Sequence, residues 1–181
     1  MSSDTRDRIV RASLELFVRQ GIAATTTRDI AQAAGIAEGT IYRHFVSKEA
    51  MADEIFVSHY LPFGTALRAA GAAPGTLADK LRAMVTHFYE AYDRDPDLFA
   101  FLVISQHTAA GKLAPASPTP VRVLGEVLRQ ARSKRFAAKL LAHIVLGMIL
   151  QPAVARLKGD LPAPLSTHTD AVVEAIRAVV E

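Results

Sequence analysis

The 181-residue sequence contains no cysteine, which excludes a disulfide framework and thiolate chemistry and is compatible with a reducing compartment. Its first residues, MSSDTRDRIV, hold no apolar run of the kind found in a secretory signal. The most apolar tract, residues 140–155, is interrupted by His143, Gln151 and Pro152 and is shorter than the roughly 20 residues that cross a bilayer. It is expected to be a buried helix, so no membrane partner is expected and a cytoplasmic location is. No G-x-S-x-G elbow, Walker loop, H-E-x-x-H pair or dinucleotide fingerprint occurs. Among the six histidines, His59, His87, His107 and His143 lack the companions of a metal site. No catalytic residue, metal or cofactor is therefore expected, and the chain is not expected to be an enzyme.

The sequence does hold an ordinary globular balance, 50% hydrophobic and 22% charged residues, with a net charge of +3 that is too small to name a partner. Apolar residues recur at helical spacing and no alternating strand pattern appears, so the fold is expected to be all-α. A first helix with Ile9, Ala12, Leu16 and Phe17 on one face should start near Asp4 or Thr5 and stop at Gly21. Short helices are expected at about residues 27–34 and 38–44, and a fourth capped by Ser47 that Pro62 should kink or end. Further stripes run from Leu77 to Tyr92, from Leu98 to Gln106 and from Val121 to Leu128. Two last helices are expected at about residues 134–158 and around Val172 to Val180. Composition changes near residue 50, where short helices with polar decoration give way to longer apolar ones. This divides the chain into domains at 1–50 and 51–181.

The stretch from Thr26 to Phe45 is the informative one. Thr25 or Thr26 can cap the second helix, Ile30, Ala31 and Ala34 face inward, and Gly35 permits a sharp turn. Ile36, Ile41 and Phe45 anchor a third helix, which leaves Gly39, Thr40, Tyr42, Arg43 and His44 facing outward. That layout is a helix-turn-helix, whose second helix enters the major groove of DNA. Gly39 allows close backbone approach, and Thr40, Tyr42 and Lys48 reach phosphate oxygens. Arg28 and Arg43 can pair with guanine edges, and His44 with a phosphate or a base.

The ordered runs T-T-R-D-I-A-Q-A-A-G-I, E-G-T-I-Y-R-H-F and S-K-E-A-M resemble the DNA-binding domain of the TetR family of bacterial transcriptional regulators. The likeness covers roughly residues 5–51. It implies DNA contacts by Thr26, Thr27 and Arg28 from the second helix, by Gly39, Thr40, Tyr42, Arg43 and His44 from the third, and a phosphate grip by Lys48. Ala37 stands where many relatives have serine, so the side-chain cap of the recognition helix is missing, a loss of about 0.5–2 kcal/mol.

The resemblance further implies a helical C-terminal domain that dimerises and encloses an effector. The expected dimer residues are Val145, Met148, Ile149, Val172, Ile176 and Val179. The expected effector pocket, suited to a small hydrophobic molecule, is lined by Phe63, Met84, His87, Phe88, Phe99, Leu102, Gln106 and Leu124. A basic cluster at Arg129, Arg132, Lys134, Arg135 and Lys139 reads as a solvated turn. The expected function is a repressor that binds a palindromic double-stranded DNA operator as a homodimer and is released by a small-molecule effector. An activator or a partner-regulated DNA-binding protein is the alternative, and a helical enzyme a more distant one.

Overall fold

The computed structural model describes residues 2–131 and 136–180 and, among these, contains α-helices and short 3-10 turns without a strand. The helices are α1 (Ser2–Ala24), α2 (Thr27–Ala34), α3 (Glu38–Ile41), α4 (Lys48–Ala72), α5 (Leu77–Arg94), α6 (Pro96–Ala109), α7 (Pro120–Leu128), α8 (Ala138–Leu157) and α9 (Thr169–Val180). The all-α expectation holds, and four of its details change. Gly21 breaks the backbone of α1 (φ 83°, ψ 158°), but the chain resumes helical geometry as far as Ala24. The third helix ends at Ile41 and continues as a turn through His44. Pro62 does not end α4, which runs on for ten residues to Ala72. Helix α8 is 20 residues long, enough by length and composition to cross a membrane, contrary to the sequence estimate. Arg132, Lys134 and Arg135 of the basic cluster lie outside the described residues, as does the expected start of α8 at Lys134.

The chain packs as two compact units, one formed by residues up to His59 together with Asp97–Leu113, the other by Tyr60–Pro96 with residues 114–181. This grouping follows contacts, whereas the boundary at residue 50 follows a change in residue type, and α6 accordingly joins the N-terminal helices. In the first unit Ile9, Phe17, Ile30, Ile41, Phe45, Met51 and Phe56 are buried, and the rings of Phe17 and Phe101 stack at 5.9 Å. Ion pairs fasten α6 and the turn after it: Arg11 to Asp97 at 3.4 Å and Lys112 to Asp53 at 2.7 Å. Exposed pairs of this kind contribute at most about 1 kcal/mol each, so burial of the aromatic and aliphatic side chains holds the unit together.

In the second unit α5 packs on α9 and α7 on α8. Leu81, Met84, Val85, Leu124, Leu141, Val145, Ile149, Leu165 and Ile176 are all buried to 1% exposure or less. The Tyr89 hydroxyl donates to the Ile149 carbonyl at 3.3 Å, which satisfies a polar atom deep in this core. Asp93 accepts from the backbone N–H groups of Leu165 (2.7 Å) and Ser166 (2.9 Å), fixing the approach to α9. Gly64 allows the chain near Pro118 to lie against α4, since a Cβ there would fall 1.7 Å from the Pro118 carbonyl oxygen.

Candidate nucleic-acid interface

The N-terminal unit builds its outward face from short local rules. Thr26 is the N-cap of α2, with extended backbone (φ −106°, ψ 158°), and forms a reciprocal capping box with Asp29. The Asp29 N–H donates to Thr26 Oγ1 at 3.1 Å, and the Thr26 N–H donates to Asp29 Oδ2 at 2.9 Å. The Thr26 hydroxyl also gives its own proton to Asp29 Oδ2 at 2.7 Å. That bond, followed by the backbone one, holds the Asp29 carboxyl below its ordinary pKa. Thr26, expected at the DNA, thus has its hydroxyl proton committed to holding the start of α2.

At the other end of α2, Gly35 takes the left-handed conformation (φ 65°, ψ 43°) that a residue with a Cβ avoids. Its N–H donates to the Gln32 carbonyl at 3.2 Å, and the Ile36 N–H donates to the Ala31 carbonyl at 3.0 Å. From α1, Arg8 donates to the carbonyls of Ala34 and Gly35, supplying a cation at the helix C-terminus. Sequence reasoning missed Arg8, because the pairing spans 26 residues and no periodicity signals it.

Helix α3 begins at Ala37 with no side-chain cap, as the alanine requires. Ile41 and Phe45 are buried, and the Arg6 guanidinium sits 5.1 Å from the centre of the Phe45 ring. Outward from this anchor Arg28, Gly39, Tyr42 and Arg43 are exposed, and Thr27, Thr40 and His44 are partly so. Tyr42 is 56% exposed. Neither the Arg28 nor the Arg43 side chain makes a hydrogen bond or ion pair among the described residues. The Thr27 hydroxyl donates to Glu38 Oε1 at 2.6 Å and lies 3.3 Å from the Tyr42 hydroxyl, which brings α2 and α3 together at the face. Glu38, the second residue missed, is an acid in the first turn of α3, where the helix dipole favours one.

Lys48 opens α4, and its side chain turns toward the end of α1. Its Nζ donates to the carbonyls of Ile22 (2.8 Å), Ala23 (3.0 Å) and Thr25 (2.6 Å), and only 20% of its side chain is exposed. The neighbouring Ser47 caps α4 as expected, its Oγ accepting from the Ala50 N–H at 3.0 Å.

The expected effector residues divide between the two units. Phe63, Met84, His87, Phe88 and Leu124 belong to the second, and Phe99, Leu102 and Gln106 to the first. In the second unit Phe63 stacks on the His87 ring (4.6 Å, 26°) and meets Phe88 edge-on at 5.0 Å. His87 Nε2 is 3.2 Å from the Phe63 carbonyl. Burial depresses the pKa of His87, and the bond to Phe63 opposes that only in part. Met84 and Leu124 are fully buried core residues. A cleft of about 360 Å³ lies between α7 and α8, with Arg122, Gly125, Arg129, Lys139, Ala142 and His143 among its walls and none of the eight expected residues.

The expected dimer residues also divide. Val145, Ile149 and Ile176 are wholly buried in the core of the second unit, whereas Met148, Val172 and Val179 are partly exposed. The 3.6-residue period puts Leu140, His143, Gly147, Gln151 and Val154 on the side of α8 opposite Val145 and Ile149, with Ile144 and Leu150 on its flanks, and none of these seven is buried. No metal-holding group of side chains occurs among the described residues.

A capped α2, a turn on left-handed glycine and an exposed set of donors on and around α3 give this unit the layout of a helix-turn-helix. Residues 9–55 match the model for bacterial regulatory proteins of the tetR family. It is 41% identical over 91 residues to the HTH-type transcriptional repressor KstR2 of Rhodococcus jostii strain RHA1, a match covering 50% of this chain and 45% of that one. The matched segment thus spans less than half of that relative's length. The whole fold is like that of a TetR-like transcriptional regulator from Rhodococcus sp. RHA1, with a TM-score of 0.76 over 97% of this chain and 93% of the other at 18% identity. It is also like the regulator FadR from Bacillus subtilis in complex with stearoyl-CoA, with a TM-score of 0.70 over 94% and 97% at 17% identity.

Proposed function

We propose that this protein is a transcriptional repressor that binds a palindromic DNA operator as a homodimer in the bacterial cytoplasm and is released by a small, largely apolar effector. The observation that carries the reading is the face formed by Arg28, Gly39, Tyr42 and Arg43, exposed on a helix-turn-helix in which the Thr26, Thr27 and Lys48 side chains have partners within the chain. Two arginines with unused donors suit guanine edges or phosphates, and the bare Gly39 lets backbone approach the groove. The name of the KstR2 relative supports repression.

Dimerisation is supported by the uncovered side of α8. Only 28% of the most apolar part of that helix is buried, although its composition is that of a core helix. Leu140, Ile144, Leu150 and Val154 then supply the apolar contact and Gly147 a close approach, with Met148, Val172 and Val179 at its margins. Residues 1–50 serve as the reading domain and 51–181 as the effector and dimerisation domain. An apolar effector is supported by the aromatic group Phe63, His87 and Phe88, and by the stearoyl-CoA bound to the FadR neighbour. Release requires that the ligand bind the DNA-incompatible state more tightly.

Selection of binding sites from random duplex DNA tests the reading. A palindrome with two half-sites about one helical turn apart is the expected product. Failure to enrich any sequence from folded, dimeric protein overturns it.

A further inference from the structure

Lys48 is placed to do something other than touch DNA. Helix α1 ends with carbonyls that no residue of α1 can satisfy, and its last turn carries no basic residue. The missing cation arrives from the first turn of α4. One ammonium has three protons, and each is directed at a carbonyl: Ile22, Ala23 and Thr25. No proton remains for a phosphate in this arrangement.

The three acceptors mark a junction. Thr25 is fully buried, and its hydroxyl donates to the Gly21 carbonyl at 2.8 Å across the break in α1. Thr26, the next residue, caps α2. Ser47, the residue before Lys48, caps α4. The Lys48 side chain therefore closes the chain from residue 22 to residue 48 into a loop that contains all of α2 and α3. Residues on that loop carry Arg28, Gly39, Tyr42 and Arg43, so the clasp fixes where the reading face begins and ends.

We infer that Lys48 is a positioning residue, a clasp that joins the first turn of α4 to the end of α1 and so holds the reading helix in place without itself contacting DNA. This rests on the DNA-binding reading above. The strength of the clasp comes from a full charge donating to three carbonyls at a helix C-terminus, where each such bond exceeds a neutral one.

Lys48→Met keeps the apolar stem and removes the donors. Two readouts are taken on it: amide exchange of the segment 20–30, and affinity for a selected duplex against salt. The clasp requires exchange in 20–30 to rise about tenfold and affinity to fall by a similar factor, the scale of lost hydrogen bonds to a charged group. The slope of log affinity against log salt stays at the wild-type value. A phosphate contact gives the opposite pattern, unchanged exchange and a slope reduced by about 0.9 for each lysine lost, and that result overturns the proposal. Arg43→Gln calibrates the second pattern, since Arg43 lies on the face and outside the clasp. Should Lys48→Met not fold, Lys48→Arg, which retains a cationic donor set, is expected to keep exchange within about twofold of wild type. An arginine variant with an exposed, freely exchanging 20–30 segment counts against the clasp. If wild-type protein binds no duplex at all, the DNA-binding reading fails while the exchange measurement still decides whether the clasp exists.

Discussion

The Thr27 hydroxyl donates to Glu38 Oε1 at 2.6 Å, so the first residue of α2 and the first of α3 are joined at the centre of the exposed face. A carboxylate there opposes a polyanion and spends a hydroxyl that would otherwise reach a phosphate. Glu38→Gln keeps an acceptor for Thr27 and removes the charge. It is expected to strengthen binding to mixed-sequence duplex by about 0.5 kcal/mol, a little over twofold, on the scale of exposed charge interactions. Fluorescence anisotropy titration at fixed salt measures this, and unchanged or weaker binding would show that the carboxylate is itself used on DNA.

Thr26 and Thr76 carry the same capping box in different units, with Asp29 and Asp79 as the reciprocal partners. Each Thr→Ala change should cost about 1 kcal/mol of stability. Only Thr26→Ala should also weaken DNA binding, because its cap sets the start of α2. Denaturant unfolding alongside operator titration for both variants checks the pair, and equal DNA affinity in the two would separate the α2 cap from recognition.

Gly35→Ala should destabilise the N-terminal unit by about 1–2 kcal/mol, the cost of a side chain at left-handed backbone. The new Cβ would also lie 3.1 Å from Arg8 Nη2, crowding the guanidinium that caps α2. Gly39→Ala makes the contrast, since a Cβ there meets nothing within 4 Å. It should leave thermal stability nearly unchanged while weakening binding to a selected duplex, as thermal melting and titration would show.

Stability should fall as pH drops below about 6.5. The pKa of His87 is depressed in the folded chain below the ordinary 6.5, mainly by burial, so below 6.5 the unfolded chain takes up a proton that the folded one resists. The loss begins near 6.5 and continues down to the depressed folded value. Asp29 and Asp79 do not interfere, because their folded pKa values lie below 3.8 and their contribution is lost only as pH falls past that range. His87→Phe keeps a ring against Phe63 and should flatten this part of the profile in urea unfolding at stepped pH.

Leu150→Glu tests the uncovered side of α8. The residue is only partly buried within the chain, so the substitution should spare the fold of one protomer while turning a dimer into a monomer in sedimentation velocity. Val145→Glu should instead unfold the second unit, since Val145 is fully buried. A variant at Leu150 that stays dimeric would move the interface elsewhere.

Local chemistry made much of this molecule legible in its sequence. Helical spacing of apolar residues identified the helices, and the Thr26, Gly35 and Ser47 signals placed the ends of α2 and α4, because caps and left-handed turns depend on a few adjacent residues. The order of residues from Thr26 to Met51 was enough to place the helix-turn-helix. What the sequence could not decide was which face of an apolar helix looks inward. Val145, Ile149 and Ile176 carry the same side chains whether they meet their own unit or a second copy, and only packing assigns them to the core. Nor could spacing show that Lys48, Arg8 and Glu38 would find partners 23, 26 and 11 residues away. A charged side chain looks alike in sequence whether it faces a phosphate or a carbonyl. The distinction belongs to tertiary structure, which brings distant backbone groups within hydrogen-bonding reach.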